Sequence, residues 1–254
     1  REIRGCEHIG EVVLVDQSPI GKTTRSNPAS YVGALDPIRK IFAAEPLSSQ
    51  RGYTAGTFSF NSGKGRCPSC AGNGFQHIEM QFLSDVYLRC PDCDGRRYRP
   101  EVLDVKIAAP GGEMLSRNPG FAGKSIAEVL EMTVEEACAF FGSSGEIIRA
   151  LEPLRAVGLG YVRLGQPVPT LSGGEAQRLK LSGHLARVRP GGKGSRRSGR
   201  VEPTLFLFDE PTTGLHFRDI ATLLQAFGRL LEAGHSLVVI EHNLDVIAAA
   251  DWIV

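Results

Sequence analysis

Short apolar runs and longer helical spacings alternate along this chain. Glu11-Val12-Val13-Leu14-Val15-Asp16, Thr204 to Phe208 and Ser236 to Ile240 are rich in β-branched or aromatic residues, and each predicts a buried strand. Between the last two, Ile220, Leu223, Leu224, Phe227, Leu230 and Leu231 recur at helical spacing within Asp219 to Ala233, and Gly234 supplies the stop. A strand, helix, strand unit with parallel strands is expected. The pattern begins again at Asn243 to Ala250, which reads as helix, and at Trp252-Ile253-Val254, which reads as the start of another strand.

The middle of the chain carries helix-start signals. Ser125 with Glu128 and Thr133 with Glu136 have capping-box spacing, predicting short helices over Ile126 to Leu130 and Val134 to Phe141. Ser172-Gly173-Gly174 opens a further helix through about Leu185, with Ala176, Leu179, Gly183 and Ala186 on one face.

With 254 residues, 42% of them hydrophobic, the chain is long enough for one large or two smaller cores. Its apolar runs fall far short of the roughly 18 to 20 residues of a membrane helix, so no membrane partner is expected. The first residues hold neither an initiator Met nor an apolar signal region, which suggests a fragment of a cytoplasmic protein. A net charge of +1 leaves nucleic-acid attraction to local patches. One such patch is Arg187 to Arg200, where six cations lie among Gly, Pro and Ser with no acid. It reads first as a solvated basic loop and second as a phosphate contact.

Cysteine changes the picture more than charge does. Cys67, Cys70, Cys90 and Cys93 form two Cys-x2-Cys pairs separated by 19 residues, the spacing of a zinc-ribbon-like site. Two cysteines so spaced present both sulfurs from one turn, and Gly72, Gly74 and Gly95 ease the turns. Four thiolates leave no open coordination position, so a structural Zn2+ is expected. His77 lies between the pairs but is not needed as a ligand. Arg89, Arg96, Arg97 and Arg99, with Tyr98 among them, suit phosphate contact and base stacking, or equally a solvated rim.

Leu171-Ser172-Gly173-Gly174-Glu175-Ala176-Gln177-Arg178 carries a second chemistry. A helix N-terminus attracts anions, two glycines let a phosphate approach the backbone, and Ser172 can add a hydroxyl donor. Asp209 and Glu210 end a strand, where ligands bind in open α/β sheets. The first suits the water shell of Mg2+, and the second can orient or deprotonate an attacking water in phosphoryl transfer. His242 follows the next strand, within reach of a terminal phosphate.

These motifs, with Val15-Asp16-Gln17-Ser18-Pro19-Ile20-Gly21, Arg25-Ser26-Asn27-Pro28, Phe58-Ser59-Phe60-Asn61 and Glu79-Met80-Gln81-Phe82-Leu83, resemble the UvrA family of bacterial nucleotide-excision repair almost end to end. The order of the segments fits its C-terminal, second nucleotide-binding half. The resemblance implies an α/β fold, a partial ABC-type P-loop ATPase core with a helical signature subdomain and an inserted four-cysteine zinc module. It implies the Q-loop glutamine at Gln17, the ABC signature at Ser172, Gly173, Gly174 and Glu175, and the Walker B aspartate at Asp209. Glu210 would be the catalytic glutamate and His242 the switch histidine. The expected division is 1–65 for core with Q-loop, 66–100 for the zinc module, 101–203 for the signature subdomain with loop 187–200, and 204–254 for the remaining core. The cofactors implied are Zn2+ and ATP with Mg2+. The partners implied are damaged double-stranded DNA, a UvrB-like protein, and a second ABC half or a homodimer copy.

Two departures stand out. A P-loop needs Gly-x4-Gly-Lys-[Ser/Thr], and Asp16 occupies the first glycine's position before Gly21-Lys22-Thr23. In the family the true P-loop lies upstream of the Val-Asp-Gln-Ser motif, so the isolated chain is expected to hydrolyse ATP poorly if at all. Lys22 stands where the family often has Arg, and the basic loop is longer than usual, as in a divergent paralogue. An ABC transporter cassette would share the signature, Asp209-Glu210 and His242, but gives no reason for four cysteines between Gln17 and Ser172. A non-catalytic zinc-dependent DNA-binding or scaffolding module is the other alternative.

Overall fold

The computed structural model describes residues 5–18, 20, 21, 23–61, 63–78, 80, 86–109, 123–186 and 203–254. The basic loop 187–200 and Lys22 lie outside the described residues, as do Pro19, Glu79 and 81–83 of the quoted segments. The first half runs β1 (Glu11–Val15), α1 (Pro28–Tyr31), α2 (Leu35–Ala44), α3 (Pro46–Gln50), β2 (Phe75–Ile78), β3 (Val86–Arg89), α4 (Pro100–Leu103) and β4 (Lys106–Ile107). The second runs β5 (Lys124–Ser125), α5 (Ile126–Glu131), α6 (Val134–Phe140), α7 (Gly145–Ala156), α8 (Gly173–Leu185), β6 (Thr204–Asp209), α9 (Phe217–Glu232), β7 (Ser236–Ile240) and α10 (Leu244–Ala248). The chain forms two compact units, one of residues 1–20, 153–159 and 171–254, the other of 21–152 and 160–170.

In the first unit β1, β6 and β7 make a parallel sheet with β6 central, as the apolar runs predict. Thr204, Phe206 and Phe208 alternate onto one face and are buried. The Phe208 ring lies 4.7 Å from Phe227 of α9, and Phe206 lies 5.2 Å from His184 of α8. The helical stripe of Ile220, Leu223, Phe227 and Leu230 is buried accordingly. The opposite face differs. Val12, Leu14, Val238 and Ile240 are 58, 61, 50 and 60% exposed, although parallel sheets are ordinarily covered on both faces. Trp252–Val254 form no strand, contrary to expectation: they pair with nothing among the described residues, and Trp252 is 89% exposed.

The second unit holds both predicted capping boxes, Ser125 with Glu128 at α5 and Thr133 with Glu136 at α6. Residues 160–165 lie along the α5–α6 junction, where Leu164 and Gly165 donate backbone hydrogen bonds to the carbonyl oxygens of Met132 and Leu130. Residues 21–65, expected with the ATPase core, belong to this unit. Packing explains it: the Phe42 and Phe58 rings are 5.3 Å apart, and Phe60 lies 6.1 Å from Tyr98, just beyond the second cysteine pair. Leu171 to Leu185 and 203, expected with the helical subdomain, belong to the first unit.

Candidate functional site

The C-terminal ends of β1 and β6 are held together by α8. Gln177, buried on that helix, donates through Nε2 to the carbonyl oxygens of Val15 at 2.7 Å and Asp209 at 2.9 Å. One turn on, Lys180 donates to the Asp16 carbonyl at 3.1 Å, to the Asp16 carboxylate and to Ser18 Oγ at 2.7 Å. The hydrogen bond from Lys180, then that from Ser18, lowers the Asp16 carboxyl to a pKa of about 2. Both helix residues therefore grip the segment that carries Gln17.

Gln17 Nε2 donates to the Glu210 carbonyl oxygen at 3.4 Å, and the Glu210 carboxylate lies 3.6 Å from His242 Nε2. Glu210 sits in the left-handed region at φ 44°, which turns the chain off the end of β6. Its carboxylate and the His242 ring are open to solvent. Glu241 fixes the neighbouring turns by accepting from the backbone N–H groups of Thr212, His242 and Asn243. By strand alternation Asp209 shares the bare face of β6 with Leu205 and Leu207. Three residues singled out from the sequence, Gln17, Glu210 and His242, thus meet at one edge of the sheet.

Ser172 caps α8, and of the two glycines that follow, Gly174 is sterically required while Gly173 is tightly packed. A Cβ on Gly173 would stand 3.0 Å from Gln17 Oε1, and one on Gly174 would stand 2.6 Å from the Thr213 carbonyl oxygen. The Ser172 hydroxyl is already engaged, donating to the Glu175 carboxylate at 3.0 Å while accepting from Glu175 N at 3.3 Å. The anion at this helix start is the helix's own Glu175.

In the second unit the sulfurs of Cys67, Cys70, Cys90 and Cys93 all lie within 4.8 Å of one another, and all four residues are buried. Cys70 and Cys93 Sγ are 3.7 Å apart. A tetrahedron with metal–sulfur bonds of about 2.3 Å has edges of about 3.8 Å, so the set can hold a metal ion. The two loops are dihedral twins. Ala71, Gly72 and Gly74 have φ of 48, 84 and 74°, and Asp94, Gly95 and Arg97 have 46, 78 and 71°. Gly74 N donates to Cys70 Sγ at 3.2 Å, and the Arg97 N–H serves Cys93 in the same way. Burial pushes the Cys70 and Cys93 thiols up, so with no cation between them these two stay protonated. At Cys67 burial also opposes ionisation, but the N–H groups of Cys70 and Ser69 together with the Cys70 and Cys93 side chains outweigh it and lower the thiol.

Comparison with known proteins finds similar chains over the whole of this sequence. UvrABC system protein A from Neisseria meningitidis serogroup A is 53% identical over 253 residues, all of this chain and 24% of that protein. The Thermus thermophilus and Escherichia coli K12 proteins of the same name are 51 and 49% identical over 99 and 100% of this chain and 24% of their own length. The crystal structure of UvrA2 from Deinococcus radiodurans superimposes with a TM-score of 0.80 at 46% identity, over 98% of this chain and 27% of that one. This chain is homologous to UvrABC system protein A. It spans about a quarter of the length of these UvrA relatives. No family model matches it.

Against this UvrA background the four expected DNA-contacting arginines divide. Arg89, Arg96 and Arg99 are exposed, whereas Arg97 is only 3% exposed and faces inward. Tyr98 is 1% exposed and donates its hydroxyl to the Phe58 carbonyl, so it is a core residue and no stacking platform. Arg89 and Arg96 line a cleft of about 710 Å³ with Lys106 and Lys124, but Glu128 and Glu131 line it too. Sequence reasoning missed Gln177 and Lys180. Both lie in or beside the UvrA-like signature, yet only the fold brings them to Val15 and Asp16.

Proposed function

We propose that this chain is part of a DNA-damage-recognition ATPase of nucleotide excision repair, contributing one ABC signature and one catalytic carboxylate cluster. The observation that carries the reading is the match to UvrABC system protein A over the whole chain at about half identity. The meeting of Gln17, Glu210 and His242 beyond a parallel sheet supports it.

In this reading Asp209 would hold Mg2+, and Glu210 would orient the attacking water. Mg2+, when bound, neutralises charge on the phosphate oxygens. His242 reaches the terminal phosphate, and Gln17 senses it from the β1 side. Ser172, Gly173, Gly174 and Glu175 act on nucleotide held by an opposing P-loop, in a second ABC half or a homodimer copy. The phosphate cradle is supplied by residues outside this sequence. The bare apolar sheet face, with Asp209 at its edge, suits cover by such residues. The metal is Zn2+, since four cysteines without an open position are its structural donor set. Arg89, Arg96 and Arg99 contact DNA phosphate, and the assembled protein loads a UvrB-like partner.

The test is a chimera in which this chain replaces the matching quarter of the Escherichia coli K12 relative. Restored survival after ultraviolet damage in a strain lacking its own copy is expected. A soluble, zinc-loaded chimera that restores none would overturn the proposal.

A further inference from the structure

Arg97 presents a problem of charge. Its side chain is 3% exposed, yet among the described residues it makes no salt bridge, and its buried Nη1 has no hydrogen-bond partner. Nη2 donates to the Gly165 carbonyl oxygen at 3.2 Å, and Cζ lies 4.9 Å from the Phe60 ring centroid and 5.8 Å from that of Phe75. Glu131, a nearby carboxylate, is already paired with Arg163 at 2.7 Å. A buried cation held by two rings and one carbonyl is costly unless a negative group stands nearby.

The backbone shows that the cost is accepted at a specific place. Cys67-Pro68-Ser69-Cys70-Ala71-Gly72-Asn73-Gly74-Phe75 and Cys90-Pro91-Asp92-Cys93-Asp94-Gly95-Arg96-Arg97-Tyr98 fold alike, and glycine fills the fourth place after the second cysteine in only the first loop. Arg97 occupies that place at φ 71°, where glycine is strain-free and a side chain is not. Its N–H serves Cys93 sulfur, and its carbonyl accepts from Cys67 N at 2.8 Å. A Cβ on Gly74, whose N–H donates to Cys70 Sγ at 3.2 Å, would stand 3.4 Å from Arg97 Nε, so the guanidinium lies beside the cysteine loops. Four thiolates around a divalent ion carry two net negative charges, which is the missing counter-charge.

We infer that Arg97 is the counter-cation of the four-cysteine metal centre, a positioning residue that halves the centre's net charge and strengthens metal binding. This rests on the reading of the four cysteines as a metal site. Residues outside the ligand shell commonly change metal affinity about 10- to 100-fold.

The test uses the full chain with Arg97→Met and Arg97→Lys, with Co2+ reporting coordination and Zn2+ affinity measured by competition with a chelator. Arg97→Met should keep the four-sulfur Co2+ spectrum but bind Zn2+ about 10- to 100-fold more weakly, and Arg97→Lys should recover most of that loss. The metal-free Met variant should unfold like the metal-free parent. Equal Zn2+ affinity in Arg97→Met and parent would overturn the inference. So would equal weakening in both variants accompanied by loss of metal-free stability, which marks a packing role. A parent chain that binds no metal would instead take down the underlying metal site. Should Arg97→Met not fold, Arg97→Gln removes the charge, keeps a donor for Gly165, and carries the same expectation.

Discussion

The side-chain amide of Gln177 donates to the carbonyl oxygen of Asp209 at 2.9 Å, while the same nitrogen serves Val15 at 2.7 Å. Two strand ends, one leading into Gln17 and the other into Glu210, are thus tied to one helix position. Gln177→Leu keeps the volume but leaves both carbonyls without this donor, and should cost about 2 kcal/mol in urea unfolding. Gln177→Glu, which sets a carboxylate against two carbonyl oxygens, should cost more. A Leu variant as stable as the parent would show that the carbonyls find other donors.

The Asp16 carboxyl should titrate near pH 2, below its ordinary value of 3.8. A depressed carboxylate contributes stability above its unfolded pKa, and that contribution is lost as pH falls through the folded value, here between about 3.8 and 2. Carboxyl-carbon NMR checks this directly. Lys180→Met should move the titration back towards 3.8, because Lys180 is the largest cause of the shift.

Cys93→Ser removes one of four buried thiolates. If each ligand supplies about a quarter of a binding free energy of roughly 10 to 16 kcal/mol, zinc affinity should fall about 60- to 900-fold. Intact parent chain should carry about one zinc, and chelation should unfold the cysteine loops. An unaltered affinity in Cys93→Ser would remove that cysteine from the ligand set.

Local patterns were legible in the sequence where one physical rule decides them. The parallel strands, the α9 stripe and the capping boxes of α5 and α6 follow from periodicity and spacing. The cysteine pairs were legible because ligand spacing is local and the metal's demand is specific. Burial of a charge was not. Arg97 and its exposed neighbours Arg96 and Arg99 look alike in sequence, and only the left-handed turn after Cys93 sends one of them inward. Gln177 was hidden for a different reason: its partners lie 162 and 32 residues away. In α2, Leu35, Ile38 and Phe42 mark a buried helical face, too short a stripe to stand out from the sequence. Trp252–Val254 misled because β-propensity needs a paired neighbour to become a strand.

The central claim is that Glu210 performs ATP hydrolysis once the missing phosphate cradle is supplied. Steady-state Mg2+-dependent ATP hydrolysis by the Escherichia coli chimera, with and without Glu210→Gln, tests it most directly. If Glu210 is the catalytic carboxylate proposed above, turnover at its site should fall about 100-fold or more in Glu210→Gln while nucleotide binding is retained. Turnover at that site unchanged by Glu210→Gln would contradict the account.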